Sequence, residues 1–152
     1  MQKFKLYLLP SVFIWIGLGF IVVGLLAGYL YFSGERPEFL NFEMYALYSS
    51  KLRAKYFTTV HNNVLDELAG GLTLLGLLLM FFSKTKNENQ QVLIMRIDAV
   101  FQSVVLTSLL GILLFIFVYG WPIFAVLSVL FYLFLLFSFL LFRIKYATFK
   151  SK

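Results

Sequence analysis

The stretch from Ala99 to Phe142 decides the fold: AVFQSVVLTSLLGILLFIFVY, then GWP, then IFAVLSVLFYLFLLFSFLLF. Two uncharged runs of 21 and 20 residues, Ala99 to Tyr119 and Ile123 to Phe142, are parted only by Gly120, Trp121 and Pro122. Each run matches the roughly 20 residues a helix needs to cross a bilayer core of about 30 Å. A three-residue connection forces the two helices antiparallel, with Pro122 suited to the first turn of the later helix and Trp121 to the membrane interface.

Working outward, Leu6 to Phe32 is a further run of 27 residues without a charge, long enough to cross with some tilt. A cleaved secretory signal is the competing reading, because Lys3 and Lys5 precede the run. A signal's apolar region is only about 7 to 15 residues long, however, and a small-x-small cleavage site is missing before Ser33, so the run reads as a permanent helix. Leu68 to Phe82 is apolar for only 15 residues. It spans only if its flanks are included, which brings Val64, Leu65, Asp66 and Glu67 to the membrane interface. The chain therefore reads as an all-α membrane protein, a four-helix transmembrane bundle forming one domain over residues 1–152. Its spans are 7–32, 64–83, 98–119 and 122–142.

Composition agrees: 61% of residues are hydrophobic, 20% aromatic and 13% charged, against about a quarter charged in soluble domains. The absence of cysteine excludes disulfides, thiolate metal sites and cysteine nucleophiles. A single histidine, His61, argues against a bis-histidine haem. The net charge of +6 does not point to nucleic acid, since the basic residues flank apolar runs and build no basic face. No glycine-rich phosphate loop or nucleophile motif is present.

Four spans put both termini on the same side as the connection between the second and third. That side carries Lys3, Lys5, Lys84, Lys86, Arg96, Arg143, Lys145, Lys150 and Lys152, nine cations. The other side carries four: Arg36, Lys51, Arg53 and Lys55. The positive-inside rule then places both termini in the cytoplasm and leaves one external segment, 33–63. This segment should be ordered, because Phe39, Phe42, Met44, Tyr45, Tyr48, Tyr56 and Phe57 make it too aromatic for a linker. Tyr56 to Val60 can pair with Phe42 to Tyr48 across a turn near Ser49 to Arg53, and an interfacial helix over Phe42 to Lys55 is the alternative. The aromatics also suit headgroup-level anchoring.

Asn62, Asp66, Ala69, Thr73 and Gly76 are spaced to fall on one face of the second helix, running from polar to small. Ionisable groups at membrane depth mark a pathway, a buried pair or a partner contact. In the plainer reading, Asp66 and Glu67 occupy the helix's first turn, with Asn62 or Asn63 as its cap. His61 beside these residues invites a shared cation, but one imidazole without a second histidine is no zinc signature, so no metal or cofactor is expected. A second polar cluster, Arg96, Asp98 and Gln102, lies at the opposite end, and Asp98 beside Arg96 reads as a helix start. Gly17, Gly24 and Gly28 on the first helix, and Ser103, Thr107 and Gly111 on the third, are small-residue stripes for close helix packing. The fourth helix has no such stripe and faces lipid on much of its circumference.

With Asp66-Glu67 opening the second span, Phe82-Ser83-Lys84 closing it, Arg96-x-Asp98 opening the third and Tyr119-Gly120 ending it, the chain resembles a family of small uncharacterised four-span integral membrane proteins of Bacteroidota. The resemblance covers most of the chain and implies a multi-pass protein of a bacterial inner membrane. In that family the loop at Lys86-Asn87-Glu88-Asn89 is more acidic, the position of Asp98 is usually glutamate, and the last helix carries an asparagine pattern that this chain lacks.

The function expected from these residues is a non-enzymatic accessory or sensory protein. It would contact a partner or ligand through its external segment and the His61, Asn62, Asp66, Glu67 and Thr73 edge. The alternative is a small channel or transporter, which needs a homo-oligomer because four spans seldom enclose a pore, with Asn62, Asp66 and Thr73 lining the path. A lipid-modifying enzyme using His61 with Asp66 or Glu67 is a third reading. The partners expected are the bilayer and a membrane protein or a second copy of the chain, not nucleic acid.

Overall fold

A computed structural model describes residues 8–49, 55–85, 88–120 and 122–150. Most of the turn expected over Ser49 to Arg53 lies outside them, as do Trp121, Asn87 and the cations Lys3, Lys5, Lys51, Arg53, Lys86 and Lys152. The described chain is mostly helical, with α1 (Phe13–Ser33), α2 (Leu65–Phe81), α3 (Gln90–Phe117) and α4 (Pro122–Lys150). Between α1 and α2 come a short 3-10 turn, Glu38–Leu40, and two strands, β1 (Asn41–Ser49) and β2 (Lys55–Asn63). The chain is thus not purely α-helical. Among the described residues three helices, α1, α3 and α4, are long and apolar enough to cross a membrane, whereas α2 has 17 residues. Of the most apolar window in each of the three, only 11%, 11% and 22% is buried inside the protein. So much uncovered apolar surface needs a nonaqueous surrounding.

Chain contacts divide the molecule into two units. Phe20–Thr73 forms one; Met1–Gly19 with Leu74–Lys152 forms the other.

In the larger unit, α3 and α4 pack together around Val92, Ala99 and Phe142, with Leu141 and Tyr146 against them. Ser103 and Ser138 are buried, and each hydroxyl donates to the carbonyl one turn back, Ala99 and Phe134. Thr107 does the same toward Ser103, and Gly111 sits against Leu130. Returning hydroxyls to their own helix leaves the polar groups satisfied in an apolar setting. The helix α1 starts at Phe13 rather than near residue 7, because Leu9 is extended: its N–H donates to Phe82 O (2.9 Å) and its carbonyl accepts from Lys84 N (2.8 Å). Backbone spent on another strand-like segment is unavailable to a helix, and Pro10 follows immediately. The helix α3 begins at Gln90, eight residues before Asp98, so Asp98 does not start it. The cap is Asn89, whose side chain accepts from Val92 N at 2.9 Å. The helix α4 continues past Phe142 to Lys150.

In the smaller unit, β1 and β2 pair antiparallel from Asn41↔Asn63 to Ser49↔Lys55, so the strand alternative holds over the interfacial helix. The turn Glu38–Leu40 ties into this base through Val64 N, which donates to Leu40 O at 3.0 Å.

The small residues of α1 and α2 face one another. In the larger unit, a Cβ added at Gly17 would lie 2.6 Å from Gly76 O and 3.2 Å from Met80 N. In the smaller unit, a Cβ at Gly24 would lie 2.8 Å from Thr73 N and 3.0 Å from Ala69 O, while Gly28 meets Ala69 at ordinary contact distance. Only glycine permits backbones this close. Gly24→Ala is therefore expected to destabilise the protein in detergent by about 1–3 kcal/mol through overpacking. Gly19→Ala, with open space around it, should not. Thermal unfolding of the two variants checks this.

Candidate functional site

In the smaller unit, alternation along the hairpin separates two faces. Asn41, Glu43, Tyr45, Phe57, Thr59, His61 and Asn63 share one; Phe42, Met44, Val60 and Asn62 share the other. Phe42, Met44, Tyr45 and Phe57 are exposed, as is Phe39 just before β1. Phe57 has φ +51°, a conformation bulky side chains seldom adopt, and the register passes over it between Thr58 and Tyr56. Its ring lies 6.5 Å from that of Tyr45.

The base of the hairpin is polar and fully engaged. Asn63 holds three segments: its Nδ2 donates to Pro37 O (3.0 Å) and to Asn41 Oδ1 (2.8 Å), and its Oδ1 accepts from Leu65 N (3.2 Å). Asn63, not Asn62, is thus the residue that opens α2. Asn62 lies on β2, off the helical stripe expected from its spacing, and its Nδ2 donates to Glu67 Oε1 at 2.9 Å. His61 Nε2 pairs across the strands with Glu43 Oε1 at 2.7 Å, both side chains largely exposed. Asp66 and Glu67 are exposed in the first turn of α2. Thr73 stands apart from this edge: its hydroxyl donates to Ala69 O at 2.7 Å, and it packs at Gly24.

Of the expected edge, therefore, Asn62 and Glu67 come together, His61 turns to Glu43, and Thr73 belongs to helix packing. Among the described residues, no group of three or more His, Asp or Glu is placed to hold a metal ion. Asn63 was one of the two caps expected for α2, but its bonds to Pro37 and Asn41 and the Glu43–His61 pair escaped the sequence reading. The signal for both was the strand register, since Glu43 and Asn41 fall opposite His61 and Asn63.

The second expected cluster separates in the larger unit. Arg96 is buried, 4% exposed, and donates to Phe81 O (2.7 Å), Ser83 O (3.0 Å) and Glu88 Oε1 (3.4 Å). Its guanidinium lies 4.1 Å from the centre of the Phe142 ring. Glu88 is held in turn by Thr85, through its N–H (2.9 Å) and hydroxyl (2.7 Å). Asp98 instead pairs with Lys145, and Gln102 is exposed. Arg96 thus caps the end of α2, where carbonyls lack helical partners.

No family model, curated protein or solved structure matches this chain.

A lysine has no fork to reach two carbonyls while stacking on a ring. Arg96→Lys is therefore expected to lower stability by about 1.5–3 kcal/mol, the scale of hydrogen bonds to a charged group. Glu88→Gln should cost less. Unfolding in detergent, followed by circular dichroism, measures both.

Proposed function

We propose that the chain is a non-enzymatic, multi-pass accessory or sensory protein of a bacterial inner membrane, with both termini cytoplasmic and the β1–β2 hairpin external. In this reading α2 is the fourth span. Its 17 residues rise about 25 Å, and Val64 and Phe82 extend the apolar length toward the roughly 30 Å of the core. The excess of cations flanking the opposite ends supports the orientation.

The observation that carries the reading is the exposed aromatic pair of the hairpin, Tyr45 and the strained Phe57, held on an anchored polar base. A two-stranded sheet is marginal in water on its own. A bulky residue kept at φ +51° costs on the order of 1–3 kcal/mol and persists where the surroundings impose it. Exposed aromatic side chains on a braced hairpin are the composition of a contact surface. The acidic first turn of α2, joined to β2 by the Asn62–Glu67 bond, extends that surface with charge. The channel alternative gains no such support, because Thr73 gives its hydroxyl to Ala69 and its flank to Gly24 rather than to a path.

The test places a photo-reactive phenylalanine analogue at Tyr45 or Phe57, and at lipid-exposed Leu113 as control, in cells that make the protein. The hairpin positions are expected to give a discrete protein adduct and Leu113 none. Asp66→Asn with Glu67→Gln should weaken the adduct while the protein remains inserted. Diffuse labelling from all three positions, or an adduct unchanged in the double variant, contradicts the proposal.

A further inference from the structure

In the larger unit, a cavity of about 420 Å³ opens between the start of α1, the segment after α2 and the end of α4. Its charged lining is entirely basic: Lys84, Arg143 and Lys150. Seven acidic residues exist in the chain, and within 74–152 there are only Glu88 and Asp98. Both are engaged elsewhere, Glu88 by Arg96 and Thr85, and Asp98 by Lys145. The three cations thus gather around one opening with no carboxylate of their unit left to neutralise them. Like charges held together repel, and an anion from outside the chain relieves the repulsion.

The remaining walls say which kind of anion. Trp15, exposed, and Tyr146 line the same cavity, with Val12 just before α1 and Ile14 in its first turn. Arg143, Tyr146 and Lys150 are spaced three and four apart and so share one face of α4. Amphipathic rings beside cations at the end of membrane-length helices occupy headgroup depth, with the apolar residues continuing toward the acyl region. A soluble anion uses the cations and leaves the apolar walls uncovered. Anionic lipids are concentrated in the cytoplasmic leaflet, the side to which the cation count assigns these residues.

We propose that this cavity binds the phosphate headgroup of an anionic phospholipid, with Arg143 as the forked donor, Lys84 and Lys150 as flanking ammonium groups, and Trp15 against the upper acyl chain. The inference goes beyond the hairpin reading and shares no residue with it.

The test uses the full chain with Trp121→Phe, which leaves Trp15 as the only tryptophan. The protein is reconstituted in phosphatidylcholine vesicles doped with brominated phosphatidylglycerol or, separately, brominated phosphatidylcholine. Quenching of Trp15 is expected at about tenfold lower mole fraction of the anionic lipid, in keeping with the attraction of several cations to it. Lys84→Gln, Arg143→Gln and Lys150→Gln together should abolish the preference. If the triple variant does not insert, Arg143→Gln alone is expected to reduce it. Equal quenching by the two lipids in the parent protein, or a preference unchanged in the variants, overturns the proposal. Loss of the preference on adding excess inorganic phosphate would assign the cavity to the free anion and overturn the lipid assignment.

Discussion

The buried guanidinium of Arg96 is the constraint on which the larger unit depends. A helix that ends inside an apolar setting leaves carbonyls unpaired, and each costs free energy unless a donor reaches it. Arg96 reaches Phe81 O and Ser83 O from a different helix, binds Glu88 of the connecting segment, and lays its face on Phe142 of α4. One side chain therefore holds the end of α2, its connection to α3, and the α3–α4 pair. The positive charge also suits the negative end of the α2 dipole. Leu9 completes the arrangement by bridging to Phe82 and Lys84 with its backbone, which delays α1 until Phe13.

Hydropathy made α1, α3 and α4 legible, because a helix in lipid must be apolar around most of its circumference over a set length. It could not supply helix ends. Those are local hydrogen-bond events: Asn89 caps α3 far ahead of its apolar run, and amphipathic residues carry α4 on to Lys150. The glycine positions were legible as a stripe, yet their counterpart on α2, running from polar to small, was read as a functional face. Ala69, Thr73 and Gly76 are small enough to meet Gly28, Gly24 and Gly17, so a single spacing served packing where a functional face was the expectation.

The candidate site was legible in composition and only half legible in geometry. Alternating β-branched and aromatic residues suited a strand, while their density suited an interfacial helix equally well. The choice rests on Asn63, which bonds Pro37, Asn41 and Leu65 at once and so fastens both strands to the start of α2. Pairings that span many residues, Glu43 with His61 or Asp98 with Lys145, depend on register and helix crossing, which no local pattern encodes. The basic residues were legible only as a count that favours one orientation. Their convergence on one cavity required the fold.

The proposed topology requires the hairpin and the cationic helix ends to meet opposite faces of a bilayer, with α2 as a span. Because the chain has no cysteine, single cysteines report position without background. Tyr45→Cys and Thr148→Cys, each in intact cells, can be treated with a membrane-impermeant maleimide before and after permeabilisation. Tyr45→Cys is expected to be labelled in intact cells and Thr148→Cys only after permeabilisation. Labelling of both positions under the same condition would mean that α2 does not cross, and would contradict the proposed topology.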